Sequence, residues 1–329
     1  MKFFCLLPLR DEADIVAQCL DHLLQWADRI YVFDTGSVDN TWEIVQEYAS
    51  IHVQIRPITK ESVYFSESRL RSYLFHIARQ EMRDGDWFLR VDADEFHHIS
   101  PRKFVLERLK RGETIVYHQY YNFEITESEV AGLSSIENIL EERQKTITER
   151  RRYYTTSLYT EPRLCRYRSS MKWPDTISFP FNAGFVAKER IPIRHYRFRD
   201  PLQMEVSTKL RAAMLADKDN DLSWTDPESF HWAINDWRKF VVKDNTPGLK
   251  FWSPGIDLEE IKQVNHIAPI YKRLTQRLVH STLLPLLDKR RPSFPNDSYP
   301  QRISLENVQK HKIIMSLPSD LTLEKSYQK

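Results

Sequence analysis

Between residues 2 and 96 the chain alternates apolar runs with amphipathic stretches, and this alternation restricts the possible folds more than any other feature. Residues 2–9 are almost continuously hydrophobic, the pattern of a strand covered on both faces. Ile15, Cys19, Leu20, Leu23 and Leu24 then recur at helical spacing, with Asp11 or Asp14 placed to cap the first turn. A second strand over 29–33 stops at Asp34; Gly36 permits a tight turn, and Asp39 or Asn40 caps a helix running through Tyr48. A short strand over 53–56, a helix over 66–82 and, after Gly85, a strand over 88–91 complete the series. Four strands joined by three helices predict an α/β fold with a mostly parallel central sheet flanked by helices.

Sheets of this kind bind ligands in the crevice outside the carboxyl ends of their strands. The polar groups that follow three strands, at 10–12, 34–39 and 92–95, should therefore converge. Asp92, Asp94 and Glu95 end an apolar strand abruptly, and clustered carboxylates suit a hard divalent cation that shares its shell with substrate phosphates. An isolated Asp-x-Asp serves equally well as a polar turn, so the convergence carries the weight. A metal between carboxylates neutralises a diphosphate, and another acidic strand end can bond a ribose or base. Arg69, Arg90, His195, Arg197 and Arg199 are the cationic candidates for the same phosphates. Sugar, phosphoryl and nucleotidyl donors all fit this chemistry. Gly36 stands without neighbouring glycines, so neither a dinucleotide fingerprint nor a phosphate-binding loop is present.

Lys plus Arg total 48 and Asp plus Glu 46, a balance that argues against nucleic acid as a partner. The three cysteines, Cys5, Cys19 and Cys165, show no paired spacing and read as buried thiols of a reducing compartment. The apolar start is cut short by Pro8 and Arg10, and no segment reaches the length of a membrane span, so a cytoplasmic chain is expected, with peripheral contact at the inner face of the membrane left open. Further along, strands are expected over 114–123, 163–167 and 193–198, a helix over 136–146, and a turn or edge element over 178–186. Helices follow over 202–215, 228–241 and 271–287. With no linker in sight, residues 1–200 read as the catalytic domain and 201–329 as a mainly helical extension.

Four motifs occur in sequence: Pro8-Leu-Arg-Asp-Glu-Ala-Asp-Ile15, Val32-Phe-Asp-Thr-Gly-Ser-Val-Asp-Asn-Thr41, Phe65-Ser-Glu-Ser-Arg69 and Asp92-Ala-Asp-Glu-Phe96. Together they resemble the family-2 glycosyltransferases of the A-type fold, in the branch of lipopolysaccharide-core and other cell-surface glycosyltransferases. A weaker similarity continues through Pro162-Arg-Leu-Cys-Arg-Tyr167 to His195. The resemblance implies metal-dependent, inverting transfer of a sugar from a nucleotide-diphosphate donor, by default a UDP-sugar, to a glycan or glycolipid acceptor. Mn or Mg is the implied cofactor.

Residue by residue, the resemblance places Asp34 on the nucleotide base, with Arg10, Asp11 and Glu12 against the nucleoside; Asp11 stands where Asn is more usual and cannot donate as an amide does. Asp39 matches a recurrent acidic position that also suits a helix cap, and Arg69 matches a nucleotide or phosphate anchor. Asp92 would face the ribose and help hold the metal, with Asp94 its principal ligand. His195 matches a late histidine for metal or diphosphate, joined by Arg197 and Arg199. Relatives often carry a His-Glu pair after the Pro-Arg-Leu segment; this chain has Trp173-Pro-Asp175 there, making Asp175 the expected catalytic base and Glu161 the second choice. Trp173, Trp224, Trp232, Trp237 and Trp252 are the candidates for acceptor stacking, although Trp232 and Trp237 read better as core. Two other readings remain open: a metal-dependent nucleotidyltransferase, disfavoured by a first loop poor in glycine, and a glycan-binding protein on a decayed transferase fold.

Overall fold

The computed structural model describes residues 1–64, 66–110, 112–181, 183–216 and 236–259, with single positions at 271, 274, 278, 302, 303 and 309. The chain runs β1 (Phe3–Leu9), α1 (Val16–Leu24), β2 (Arg29–Asp34), α2 (Thr41–Ile51), β3 (Ile55–Lys60), α3 (Glu67–Ala78), β4 (Trp87–Arg90), β5 (Glu95–His97) and α4 (Pro101–Glu107). It continues through β6 (Ile115–Glu124), α5 (Glu127–Ala131), α6 (Ile136–Glu142), α7 (Ile147–Arg150), β7 (Tyr153–Thr156), β8 (Pro162–Arg166), β9 (Ile191–His195), α8 (Pro201–Ala216) and β10 (Lys250–Phe251). Two compact units result: one from Met1–Tyr120 with Ser157–Arg194, the other from Tyr121–Thr156 with His195–Glu259.

In the first unit β2 and β4 both pair with β1 in parallel, and β3 pairs with β2 in parallel. The order is therefore β3-β2-β1-β4, and the chain reverses its direction of advance between β1 and β4, where a doubly wound sheet opens its crevice. Beyond β4 the sheet turns antiparallel: β8 pairs with β4, and β6 with β8. The sheet is mixed, its parallel part being the part that the strand–helix alternation specifies. The β1 strand is buried at every position, which its uninterrupted apolar sequence requires. Phe4, Leu6, Phe33, Leu74, Phe75, Phe88 and Cys165 share one core with Trp173.

The second unit packs Ile125, Val130, Leu133, Ile139, Met204 and Trp237 together. Its helices start on side-chain caps: Thr126 with Glu129 and Thr146 with Glu149 form capping boxes, and the Ser135 hydroxyl accepts from Asn138 N–H. Asp200 is wholly buried, takes a two-pronged bond from Arg143 at 2.9 Å and one from Arg150 at 2.8 Å, and starts α8 by accepting from Gln203 N–H.

Several boundaries differ from expectation. The third strand lies at Ile55–Lys60, later than 53–56, because the residues before it finish the turn out of α2. Positions 178–186 hold isolated bridges, Lys172 to Phe181 and Ile115 to Val186. Of the helix expected over 228–241, residues 228–235 lie outside the described residues and Trp237–Phe240 form a 3-10 turn. The helix expected over 271–287 also lies outside them, apart from three single positions, as do Phe65, Trp224 and Trp232. Cys5, Cys19 and Cys165 are buried free thiols. Among the described residues no helix is long and apolar enough to cross a membrane.

Candidate active site

The loops after β1 and β2 are stitched into one surface. Asp11 N–H donates to Ser37 Oγ and Val38 N–H returns a bond to Asp11 Oδ1, both at 2.8 Å. Glu12 N–H donates to Thr41 Oγ1 at 2.8 Å, and Ala13 N–H to Asp39 Oδ2 at 3.1 Å. Asp39 Oδ1 accepts from Thr41 N–H at 3.0 Å and from the Thr41 hydroxyl at 2.5 Å. Asp39 thus ties the two loops together, while Asn40 occupies the cap position of α2 without a side-chain cap bond. Asp11 holds φ at 55°, a left-handed conformation that aspartate tolerates better than most residues because its short polar side chain bonds locally. Gly36 has φ 103°, and a Cβ there would meet Ser62 Oγ at 2.6 Å, so glycine is required.

Asp34 is fully buried at the end of β2. Its Oδ1 accepts from Gly36 N–H at 2.8 Å and Ser37 N–H at 2.6 Å, and its Oδ2 has no hydrogen-bond partner among the described residues. Burial raises its pKa against the pull of those two amides. Burial also lifts Asp11 to about 6, opposed by the Val38 amide and by Arg10, whose Nε lies 3.4 Å from Asp11 Oδ2, and assisted by Asp39 and Asp34.

The loop after β4 is organised differently. Asp92 Oδ2 lies 2.9 Å from Arg163 Nη1 and 3.6 Å from Arg71 Nη2. Burial would raise the Asp92 pKa, but the two guanidinium groups outweigh it and hold the carboxyl below its usual range. Glu95 is buried, with Oε1 2.9 Å from Arg163 Nη2, so it belongs to the cluster and not to the surface. Asp94 is half-buried between them in sequence. Helix α1 meets both the first loop, through Val16 N–H on Glu12 O at 2.8 Å, and the strand after the third, through His97 N–H on His22 Nε2 at 3.0 Å; burial, and then the charges of Asp94, Glu12, Glu95 and Asp92, push the Cys19 thiol up.

Glu161 is clamped. Its Oε1 accepts from Arg163 Nη2 at 2.6 Å and Nε at 2.9 Å and from the Tyr120 hydroxyl at 2.8 Å; its Oε2 accepts from Arg90 Nη2 at 2.7 Å. Burial is overcome by Arg163, Arg90 and Arg71, and the pKa falls to about 2. Such a carboxylate holds arginines well and accepts a proton poorly. Arg90, read from the sequence as a phosphate partner, is instead spent inside the protein on Glu161 and on the Ser178 and Pro162 carbonyls.

Asp175 occupies a turn whose ends are fixed. Trp173 is completely buried against Phe75 and Phe88, its carbonyl accepts from Ser72 Oγ at 2.5 Å and His76 Nε2 at 3.2 Å, and its indole N–H donates to Ile177 O at 2.9 Å. Trp173 is therefore a core residue and not a stacking platform; Trp237 and Trp252 are likewise buried, in the second unit. Asp175 itself is half-buried, and Arg69 is half-buried on α3.

His195, Arg197 and Arg199 lie in the second unit. His195 Nδ1 faces Asn122 Oδ1 at 3.1 Å. Arg197 lies over the rings of Phe198 and Phe240, and Arg199 is buried with Nη1 3.4 Å from Tyr196 O.

Sequence reading missed Arg71 and Arg163, the two groups that hold Asp92. Arg71 could have been found: it falls in helical register with Leu74, Phe75 and Ala78, a charge on the apolar face of α3.

Residues 5–172 match the family model "Glycosyl transferase family 2", and the chain belongs to that family. No curated protein matches the sequence. Among solved structures, a mannosyltransferase from Pyrobaculum calidifontis in complex with GDP-Man and Mn2+ is similar at 11% identity over 65% of this chain and 61% of that one, with a TM-score of 0.33. Glucosyl-3-phosphoglycerate synthase from Mycobacterium tuberculosis in complex with phosphoglyceric acid is similar at 18% identity over 36% of this chain and 44% of that one, TM-score 0.24. A mycobacterial protein is similar at 15% identity over 65% and 73%, TM-score 0.32. The chain spans less than two thirds of the first two.

Proposed function

We propose that the protein transfers a sugar, with inversion, from a nucleotide-diphosphate donor to a hydroxyl of a glycan or glycolipid acceptor of the cell surface. The observation that carries this reading is the placement of three acidic loops at the carboxyl ends of β1, β2 and β4, around the point where the strand order reverses, in a chain of this family. The buried Asp34 Oδ2 suits an N–H of the base, Asp92 the ribose hydroxyls, and Arg10, Asp11, Glu12 and Arg69 the remaining nucleoside and phosphate contacts. A UDP-sugar is the proposed donor.

Among the described residues no group of three or more His, Cys, Asp or Glu is placed to ligate an ion. A divalent cation here would take Asp94, with Asp92 beside it, and complete its shell from phosphate and water, as Mg and Mn do in phosphate sites. Two carboxylates fit that habit. Bound there, the cation would neutralise the departing nucleoside diphosphate. Asp175 takes the acceptor hydroxyl proton as that oxygen bonds to the anomeric carbon and the bond to the diphosphate oxygen breaks.

Calorimetry with UDP, GDP and CMP, each with and without Mn or Mg, tests the donor site. UDP binding strengthened by metal is expected, and Asp94→Asn should remove most of that strengthening while leaving the fold intact. Failure of all three nucleotides with folded protein overturns the donor site; an unchanged metal response in Asp94→Asn removes Asp94 as a ligand.

A further inference from the structure

One guanidinium in the first unit gathers three carboxylates. Arg163, 4% exposed, reaches Asp92 Oδ2 at 2.9 Å, Glu95 Oε1 at 2.9 Å and Glu161 Oε1 at 2.6 Å, and its Nε donates to the Tyr120 hydroxyl at 3.1 Å. Glu161 passes the contact on through its other oxygen to Arg90 Nη2 at 2.7 Å, and Arg90 Nη1 donates to Ser178 O at 2.7 Å. Residues 173–178 are thus held at one end by Arg90 and at the other by Ser72 and His76 on the Trp173 carbonyl, with Asp175 between.

Charge matching alone does not call for this arrangement. Arg71, Arg90 and Arg163, all buried, balance the buried Glu95 and the partly buried Asp92 and Glu161, and a buried ionic set is often no more stable than an apolar replacement of the same volume. The fork geometry does specify something: a planar guanidinium can hold Asp92 and Glu161 at fixed positions at once, which a lysine ammonium on a flexible stem does not. We propose that Arg163 is a positioning residue that fixes the Asp92 carboxylate and, through Glu161 and Arg90, couples it to the turn carrying Asp175. What the relay positions rests on the donor and base assignments above; the relay itself is a property of the ion network.

The test compares the full-length wild type with Arg163→Lys and Glu161→Gln. Hydrogen exchange, without nucleotide or metal, is read at 173–178 and across β1, β2 and β3. Arg163→Lys keeps the charge and loses the fork, so exchange at 173–178 should rise about tenfold or more with the three strands unaffected, a local opening of the kind native-state exchange resolves. Glu161→Gln keeps an oxygen for Arg163 but turns an amide donor toward Arg90; the same local rise is expected, with UDP affinity close to wild type. In transfer assays Arg163→Lys should lower kcat about 100-fold, the scale of a misplaced catalytic group, with donor KM changed only a few-fold. Unchanged exchange at 173–178 in both folded variants overturns the coupling. So does a rise spread evenly over β1, β2 and β3, which marks general destabilisation only. If Arg163→Lys does not fold, Glu161→Gln and Arg90→Lys decide the matter. A wild type that binds and transfers nothing defeats the donor-site reading, and the exchange comparison still decides the relay.

Discussion

After β1 and β2, Asp11, Asp34 and Asp39 draw their hydrogen bonds chiefly from backbone N–H groups and hydroxyls; after β4, Asp92 and Glu95 lean on Arg163, with Arg71 added at Asp92. Burial is common to both regions, and the donors decide its outcome. One amide and one guanidinium do not offset the cost of charge at Asp11, whose pKa rises to about 6, whereas three arginines more than offset it at Glu161, whose pKa falls to about 2. The first region holds its acids with backbone amides and hydroxyls around the buried Asp34. The second is an ion cluster gathered on Arg163.

Glu161, its pKa held at about 2 by Arg163, Arg90 and Arg71, accepts a proton poorly, so Asp175 on its pinned turn stays the proposed base. Asp175→Asn preserves size and removes the accepting carboxylate. Turnover should fall by about 100-fold to 10,000-fold with UDP affinity unchanged. Transfer kinetics beside UDP calorimetry check this. Near-normal turnover in Asp175→Asn, with a collapse in Glu161→Gln that exchange at 173–178 does not accompany, would return the base to Glu161.

The first region was largely legible from the sequence and the second was not. Backbone-held acids sit at strand ends that periodicity reveals: the run to Leu9 and the stop at Asp34 locate themselves, and Gly36 marks its own turn. The ion cluster depends on pairs 71 residues apart, Arg163 with Asp92 and Arg90 with Glu161, and no local pattern records such pairing. The short β5 and α4 escaped notice because three and seven residues carry too little periodicity. The polar stretch after 124 was readable in principle. Thr126 with Glu129 and Thr146 with Glu149 are capping boxes whose spacing stands in the sequence.

The contrast in pKa predicts stability slopes of opposite sign. Glu161 has its folded pKa depressed from 4.5 to about 2, so its contribution is present above pH 4.5 and is lost as pH falls toward 2. Wild type should exceed Glu161→Gln by about 3 kcal/mol above pH 5, with the gap closing in acid. Asp11 has its folded pKa raised from 3.8 to about 6, so the folded state binds the extra proton and wild-type stability falls as pH rises from 4 to 6. Asp11→Asn removes that term and keeps an oxygen for Val38 N–H; it should gain on wild type across the same window, by up to about 3 kcal/mol. Urea unfolding from pH 2.5 to 5 measures the first slope, and from pH 4 to 7 the second. Parallel slopes for the two variants would erase the distinction between the regions.

The smallest effect probes whether Asp39 is a brace or a ligand contact. Its two oxygens accept from Ala13 N–H on one side and from the Thr41 N–H and hydroxyl on the other. An asparagine has one oxygen, so Asp39→Asn either points its amide at Ala13 N–H or abandons Thr41, and in both cases an amide N–H in a half-buried loop loses its partner. That loss costs about 1 kcal/mol. If Asp39 only braces the loops, UDP affinity should fall a few-fold at most, in step with the loss of stability measured by urea unfolding. A fall beyond about 30-fold, some 2 kcal/mol, with stability intact would mean that the carboxylate itself meets the nucleotide. The first region would then hold its ligand partly by charge, and the contrast with the Arg163 cluster would be one of degree.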